Sequence, residues 1–138
     1  MTIIATPNRH REVDIWIPIE PKPWQRASQR ANGKRFTPVA MRRTQDAIKD
    51  HVLRQNVPSF GNAILRVRVE MYLPKPKQPR YNWPTKFDID NGIKNLCDAL
   101  NGIVWDDDRQ ICEIFAFKRW TKTNPGYRLV VAPLVEFE

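Results

Sequence analysis

Six aspartates and one lysine within 21 residues are the side chains of this sequence best suited to chemistry. Residues 88–108 hold six of the 15 acidic residues of the chain, and Lys94 is the one basic residue among them. Carboxylates that meet at one point repel each other unless a cation neutralises them. Oxygen-rich ligand sets of this kind suit Mg²⁺ or Mn²⁺. The stretch therefore predicts a divalent-cation site.

The first pair of carboxylates lies where a short strand end, predicted at residues 87–89, leads into a helix. Asp88 and Asp90 are two residues apart, and in extended backbone such side chains point the same way. Asp90 is also the predicted N-cap of a helix that runs from Asn91 to about Leu100. Asn101-Gly102 is typical of a helix end.

The remaining charged residues follow at spacings that favour convergence. Lys94 is four residues after Asp90 and Asp98 is four residues after Lys94, which places the three on one helical face. Residues 106–108 are three further aspartates at the start of the next predicted strand. If that strand lies beside the first pair, three or more carboxylates meet.

Each part of this pattern has an ordinary structural explanation. Asp90 alone is a helix cap, Lys94 with Asp98 is a surface ion pair, and residues 106–108 form a solvated turn. Their combination within 23 residues favours chemistry instead. Two metal ions can clamp the attacking water and the leaving oxygen of a phosphodiester. A lysine beside them can stabilise charge on the phosphate in the transition state.

Other reaction types lack the residues they need. The chain has two histidines, and His51 falls on the apolar stripe of a predicted helix, where packing explains it. Cys97 and Cys112 have no CxxC spacing and no basic neighbour, so both are expected to be small buried residues. There is no glycine-rich phosphate loop and no zinc-ligand spacing.

The order of predicted elements is β-α-β-α-β-β. A strand at 13–19 precedes a Pro- and Arg-rich loop at 20–37, and a helix follows from Thr37 as N-cap and Pro38 as first residue to about Gln55. A strand at 64–73 alternates apolar and polar residues and is followed by a basic loop at 74–86. Strands at 111–120 and 127–135 are expected to pair as a hairpin.

These elements predict an α+β fold, a single-domain mixed sheet of about four strands with two helices packed on it. The 138 residues are divided into a flexible N-terminal arm (1–12) and one domain (13–138). Neither a secretory leader nor an apolar run long enough to span a membrane is evident, so a cytoplasmic location is expected.

Charge indicates a polyanionic partner. The chain has 23 Lys and Arg against 15 Asp and Glu, a formal charge of +8. Between residues 22 and 54 there are nine basic residues and two acidic ones. The two Pro-containing loops could wall a DNA channel. Their candidate phosphate contacts are Arg26, Arg30, Lys34, Arg35, Lys75, Lys77 and Arg80.

The residues from 88 to 110 resemble the signature of the RusA family of Holliday-junction resolvases. The shared pattern is DxDNxxKxxxDALNGxxxxDDxQ, and similarity extends over about residues 13–135. The resemblance implies a homodimeric, Mg²⁺-dependent crossover junction endodeoxyribonuclease of DNA recombination and repair, with Mn²⁺ as a possible substitute. Such an enzyme resolves four-way DNA by symmetric paired nicking. A bacterial, prophage or phage origin is compatible with the family.

The resemblance also assigns roles. The catalytic residues would be Asp88, Asp90, Lys94 and Asp108, with the three aspartates as metal ligands. The run of three aspartates leaves Asp107 as an alternative third ligand; Asp108 is preferred because it lies two residues before Gln110. Two positions depart from the pattern. Phe87 replaces a common proline, and Gly92 is expected to cost the helix about 1 kcal/mol and to loosen the Asp90–Lys94 geometry.

Two other functions remain open at this point. One is a non-catalytic junction-binding protein of the same fold, which cleavage of a labelled junction with and without Mg²⁺ would distinguish. The other is a metal-dependent enzyme acting on small nucleotides. The basic residues between 22 and 54 argue against it, since a small substrate needs no broad phosphate track.

Overall fold

A four-stranded mixed sheet carries two helices on one face, which confirms the predicted α+β class. The computed structural model describes residues 12–26, 28–29, 33, 35–36 and 38–134. The elements are β1 (Val13–Ile17), β2 (Ser28–Gln29), β3 (Arg35–Phe36), α1 (Val39–Arg54), β4 (Leu65–Pro74), α2 (Ile89–Leu100), a 3₁₀ turn (Asp108–Gln110), β5 (Ile111–Thr121) and β6 (Gly126–Pro133).

Strand β4 lies in the middle of the sheet. The strand order is β1-β6-β4-β5, and β4 pairs antiparallel with β6 and parallel with β5. Its alternation of apolar and polar residues is confirmed, because one side of the strand is buried under the helices. The buried residues of that side are Leu65, Val67, Val69, Met71 and Leu73.

The prediction that the last two strands form a hairpin is wrong. Strands β5 and β6 lie on opposite sides of β4, and residues 122–125 pass across its end. Helix α2 connects β4 to β5, and a helical crossover of this kind makes the two strands parallel neighbours. The most buried strand thereby gains a partner on each side. The backbone N–H of Lys75 donates to the carbonyl of Thr121 at 2.9 Å where the chain crosses.

The two helices pack on each other and on the same face of the sheet. Helix α1 contacts β1, and α2 contacts β5. Ile48 and Val52 of α1 are fully buried with Leu96 and Leu100 of α2. The opposite face of the sheet carries no helix among the described residues. We call this side of the sheet the open face. Its residues include Arg66, Arg68, Glu70, Glu113, Phe115 and Arg128.

The region before α1 differs in detail from its prediction. The loop at 20–37 contains the short pair β2 and β3. Pro38 is the N-cap residue of α1, with ψ of 130°, and so is not its first helical residue. Thr37 and the N-terminal arm, apart from Glu12, lie outside the described residues. His51 is tied into the fold as expected, since its Nε2 lies 2.9 Å from the carbonyl oxygen of Trp16.

A β-bulge at the start of β5 overturns the expectation for Cys112. Leu65 pairs with Ile111, but the next residue of β4, Arg66, pairs with Glu113. Cys112 is therefore the extra residue of the bulge, and it is exposed, whereas Cys97 is buried as expected. Bulges re-aim side chains next to functional sites. Here Ile111 and Ile114 both line the same cleft despite their odd spacing.

No helix in the described part of the chain is long and apolar enough to cross a membrane.

Candidate active site

Helix α2 presents three charged residues along one side, as its spacing predicts. Asp90 lies in the first turn, and Lys94 and Asp98 follow at intervals of four. The Nζ of Lys94 lies 3.6 Å from the Oδ1 of Asp98. The other side of the helix is buried. This division lets α2 be held firmly by the core while its charged side chains remain available.

The start of α2 lies two residues earlier than predicted. Asp88 is the N-cap, and residues 87–89 form no strand end. The carbonyl of Asp88 accepts from the N–H groups of Asn91 and Gly92, so Asp90 already lies inside the helix. The carboxylate of Asp88 makes no capping hydrogen bond, and the residue is exposed. The two aspartates are thus related by helix geometry and not by a strand.

The second acidic segment is held by a network that the sequence interpretation did not include. The Asp107 side chain accepts from the N–H of Arg109 at 3.0 Å and forms an ion pair with Arg109. Gln110 Oε1 accepts from the N–H groups of Asp106 and Asp107. The Nε2 of Gln110 donates to the carbonyls of residues 61 and 63. These bonds fix the turn that carries Asp108.

One cleft collects residues from both acidic segments. Its volume is about 340 Å³, and it lies between α2 and the beginning of β5. Its lining residues are Asp90, Ile93, Lys94, Cys97, Asp108, Ile111 and Ile114. Asp88 and Asp107 do not line it. Among the predicted catalytic residues, the structure therefore brings Asp90, Lys94 and Asp108 together.

Burial and neighbouring charges shift the pKa of two groups beside the cleft. Burial raises the pKa of Asp98, and the charge of Asp108 raises it further, while Lys94 opposes both effects. Burial, together with the charges of Asp108 and Asp98, raises the pKa of the Cys97 thiol to about 12. A thiol in this state is protonated and is no nucleophile at neutral pH.

The donor set of the cleft suits a hard cation. Nowhere in the described parts of the chain do three His, Cys, Asp or Glu side chains form a group able to hold a metal by themselves. Mg²⁺, however, is usually held by one or two carboxylates together with waters and substrate phosphate. Asp90 and Asp108 supply two such carboxylates in one cleft. Negative charge that remains uncompensated there is compatible with cation binding.

The Pro-rich segment before β2 is anchored beside Lys94. The N–H of Trp24 donates to the carbonyl of Asn91 at 2.8 Å, and the Nζ of Lys94 lies 5.0 Å from the centre of the Trp24 ring. Asn95 is fully buried, and it bonds Gln45 of α1 and the carbonyl of Lys22. The sequence interpretation missed Trp24 and Asn95. A polar residue within an otherwise apolar helix stripe was the signal for Asn95.

Strand β5 anchors the basic loop after β4 and the segment that leads into α2. The Nζ of Lys118 donates to the carbonyl of Phe87, next to the N-cap of α2. The Nε1 of Trp120 donates to the carbonyl of Tyr81 at 3.0 Å. Both side chains lie on the helix-bearing face of the sheet. They position the segment that delivers Asp88 and Asp90, a role that no local pattern revealed.

The structure describes part of the predicted DNA-binding set. Arg26, Lys75, Lys77 and Arg80 are exposed. Arg30 and Lys34 lie outside the described residues. Arg35 belongs to β3, but its side chain is not among the described ones.

Comparison with known families decides the assignment. The family model described as Endodeoxyribonuclease RusA matches residues 18–132, which is most of the chain. The chain belongs to the RusA endodeoxyribonuclease family. A search of curated proteins finds no significant match. Membership in the RusA family supports nuclease activity on DNA, and it agrees with the resemblance carried by residues 88–110.

Proposed function

We propose that this RusA-family protein is a Mg²⁺-dependent, structure-specific endonuclease that resolves Holliday junctions by symmetric paired nicking in DNA recombination and repair. The observation that carries the proposal is the cleft shared by Asp90, Lys94 and Asp108. Two segments that are 18 residues apart contribute a carboxylate each, and Lys94 lines the same cleft. Family membership supports DNA as the polymer on which this cleft acts.

The aspartates are proposed as metal ligands. Asp90 and Asp108 would hold Mg²⁺, with Asp88, exposed at the N-cap, as a further ligand; Mn²⁺ would serve as a substitute. A bound Mg²⁺ supplies positive charge at the cleaved phosphate and lowers the pKa of a bound water. Asp107 is the weaker candidate for the third ligand, because its carboxylate already caps the 3₁₀ turn and pairs with Arg109.

Lys94 is proposed to stabilise the phosphate. Its side chain is about half exposed, and its ammonium group lies near Asp98 and the face of the Trp24 ring. These two neighbours restrict where the long side chain can point. A positioned ammonium group stabilises the charge that develops on a phosphate more effectively than water does. Asp98 and Trp24 are thus positioning residues for Lys94.

The basic loops are proposed to hold the arms of the junction. The loop after β4 carries Lys75, Lys77 and Arg80, and Arg26 precedes β2. All four side chains are exposed. The chain as a whole carries a formal charge of +8. Phosphate contacts by such residues release counterions, so binding should weaken as salt rises, with a slope of about −0.9 per neutralised phosphate on duplex DNA.

The open face is proposed as the homodimer contact. Arginines cross it, but its central ones are neutralised within the face. Arg66 pairs with Glu113, Arg68 with Glu70, and Arg128 with both Asp14 and Glu70. A face with compensated charge offers little attraction to DNA. It can meet a second copy of a chain that is otherwise strongly basic without electrostatic repulsion.

A labelled synthetic four-way junction tests the function. With Mg²⁺ we expect paired nicks at symmetric positions, and with excess EDTA we expect binding without cleavage. A linear duplex containing the same arm sequence is the control and should remain intact. Full activity in EDTA would contradict the metal dependence. Tight junction binding with no cleavage in Mg²⁺ or Mn²⁺ would instead favour a non-catalytic junction-binding protein.

A further inference from the structure

A second cleft, separate from the one shared by the aspartates, lies at the end of the sheet where β4 and β5 finish. Its volume is about 320 Å³, which lies within the range of roughly 300–1,000 Å³ typical of ligand sites. The residues that line it are Lys75, Asn82, Trp83, Arg119, Trp120 and Lys122. None of its residues lines the cleft of Asp90 and Asp108.

The cations of this second cleft are uncompensated. Lys75, Arg119 and Lys122 form no ion pair with any acidic residue in the part of the chain that the structure describes. Arg119 lies on the same side of the sheet as the open face, but at its end, and it is not among the arginines paired there. No acidic residue lines the cleft. Three cations that converge without acids are suited to a phosphate group.

An exposed aromatic ring adjoins these cations. Trp83 is 56% exposed, an unusual state for so large an apolar side chain. The guanidinium carbon of Arg119 lies 5.5 Å from the centre of the Trp83 ring and 4.0 Å from that of Phe117. The hydrogen bond from Trp120 to the Tyr81 carbonyl holds the loop that carries Trp83. The ring is therefore held in place yet largely open to solvent.

We propose that this second cleft binds an unpaired nucleotide of DNA, with the base stacked on Trp83 and a flanking phosphate held by Lys75, Arg119 and Lys122. Every base has a π face that can stack on an aromatic side chain, so such a site tolerates any sequence. In intact duplex both faces of a base are covered by neighbouring pairs. An unstacked base is offered at a branch point or a frayed end. The cleft thus favours branched over linear DNA, an inference that rests on the proposed junction substrate.

Binding of a fluorescent oligothymidylate of about eight nucleotides, followed by anisotropy in EDTA, tests the site. Loss of one stacked base should weaken binding by roughly fivefold to a hundredfold in Trp83→Ala, and Trp83→Phe should retain most of the affinity. Leu53→Ala is the control, because Leu53 is 60% exposed on α1 and lines neither cleft. It should bind like the wild type.

A longer duplex with G·C-rich ends, which fray little, supplies the second comparison. Trp83→Ala should bind it with unchanged affinity, since a paired base cannot reach the ring. Lys122→Gln should reduce the salt slope for the single strand by about 0.7. Equal losses in Trp83→Ala and Leu53→Ala, or an equal loss on duplex, would overturn the proposal.

The two proposals fail separately. The binding assay contains no metal and requires no cleavage, so it does not depend on the aspartates. A wild type that cuts junctions but shows no Trp83-dependent binding would remove the stacking site and leave the nuclease. A wild type that binds the single strand through Trp83 but never cuts would keep the stacking site and contradict the nuclease proposal.

Discussion

Asp107 and Asp108 are adjacent in the chain but have different surroundings. Asp107 is occupied by the N–H of Arg109 and by the Arg109 side chain, whereas Asp108 lines the cleft. Gln110 completes the arrangement by bonding the turn to the carbonyls of residues 61 and 63. The second half of the family motif therefore contains one carboxylate available for chemistry and two side chains that position it.

Replacement of Asp90 by asparagine is the sharpest test of the carboxylates. Asp90→Asn changes the shape of an exposed side chain very little but removes one negative charge from the cleft. We expect near-normal folding and junction binding, with cleavage reduced by roughly a hundredfold or more, the scale on which lost charge stabilisation is felt. Strand cleavage of a labelled junction under single-turnover conditions measures the effect.

Asp106→Asn is the control for that experiment. Asp106 is exposed, carries the same charge, and lies outside the lining of the cleft. It should cut at nearly the wild-type rate. If Asp90→Asn retained more than about a tenth of the normal rate, Asp90 would not be a core ligand.

Helix α2 owes its position to a glycine. A Cβ on Gly92 would lie 2.7 Å from the Sδ of Met71 and 2.7 Å from Cε2 of Phe87. Gly92 therefore has a packing role in addition to the helix cost expected from the sequence. The missing side chain lets the first turn approach β4 and Phe87 closely, and Phe87 directly precedes the N-cap residue Asp88. Glycine lowers the intrinsic helix propensity at this position, but it allows α2 to pack closely against β4 and Phe87.

Gly92→Ala should consequently destabilise the protein. Alanine favours a helix by about 1 kcal/mol over glycine, but overpacking of a filled core typically costs about 1–3 kcal/mol. We expect a net decrease of about 1 kcal/mol in the free energy of unfolding, measured by urea denaturation. Met71→Val should recover part of the loss in the double variant because it shortens the opposing side chain. A single variant more stable than the wild type would show that the close approach is unimportant.

Local patterns predicted the elements but not their neighbours. The alternation of β4 and the end of α2 at Asn101-Gly102 depend on residues near in sequence, and both are confirmed. Asp88 and Asp90 are both good caps, so the sequence alone could not decide where α2 begins. The placement of β5 beside β4 depends on contacts between distant segments. So do the anchors from Lys118 and Trp120, which no spacing could reveal.

Over the whole molecule, positive charge is compensated in one region and left free in another. On the open face, Glu70 is nearly buried. Burial alone would raise its pKa, but hydrogen bonds from Tyr72 and Arg68 and the charge of Arg128 lower it below its usual value. Glu70 is therefore ionised at neutral pH and neutralises its arginines. Among the residues that the structure describes, the cations of the loops after β4 and β5 form no such ion pairs, which distinguishes the proposed protein-binding face from the proposed DNA-binding clefts.

Phe115→Glu tests the role of the open face. The change adds a charge at an exposed aromatic position that the proposed dimer would cover, and an unpaired charge in an interface is costly. We expect sedimentation to show a monomer, and junction cleavage to yield single nicks in place of paired ones. Leu53→Glu, on α1 and 60% exposed, is the control and should remain dimeric. A dimeric Phe115→Glu protein would place the contact elsewhere.

The bulge in β5 also equips the protein for spectroscopy. The chain has two cysteines, and burial, with the nearby aspartate charges, raises the pKa of the Cys97 thiol to about 12. Cys112 is exposed and lies next to Ile111, at the rim of the Asp108 cleft. A maleimide dye or a nitroxide should therefore attach at Cys112 alone, without any engineered residue. In the proposed dimer, one such label on each subunit would turn the separation of the two proposed cleavage centres into a measurable distance, with and without bound DNA.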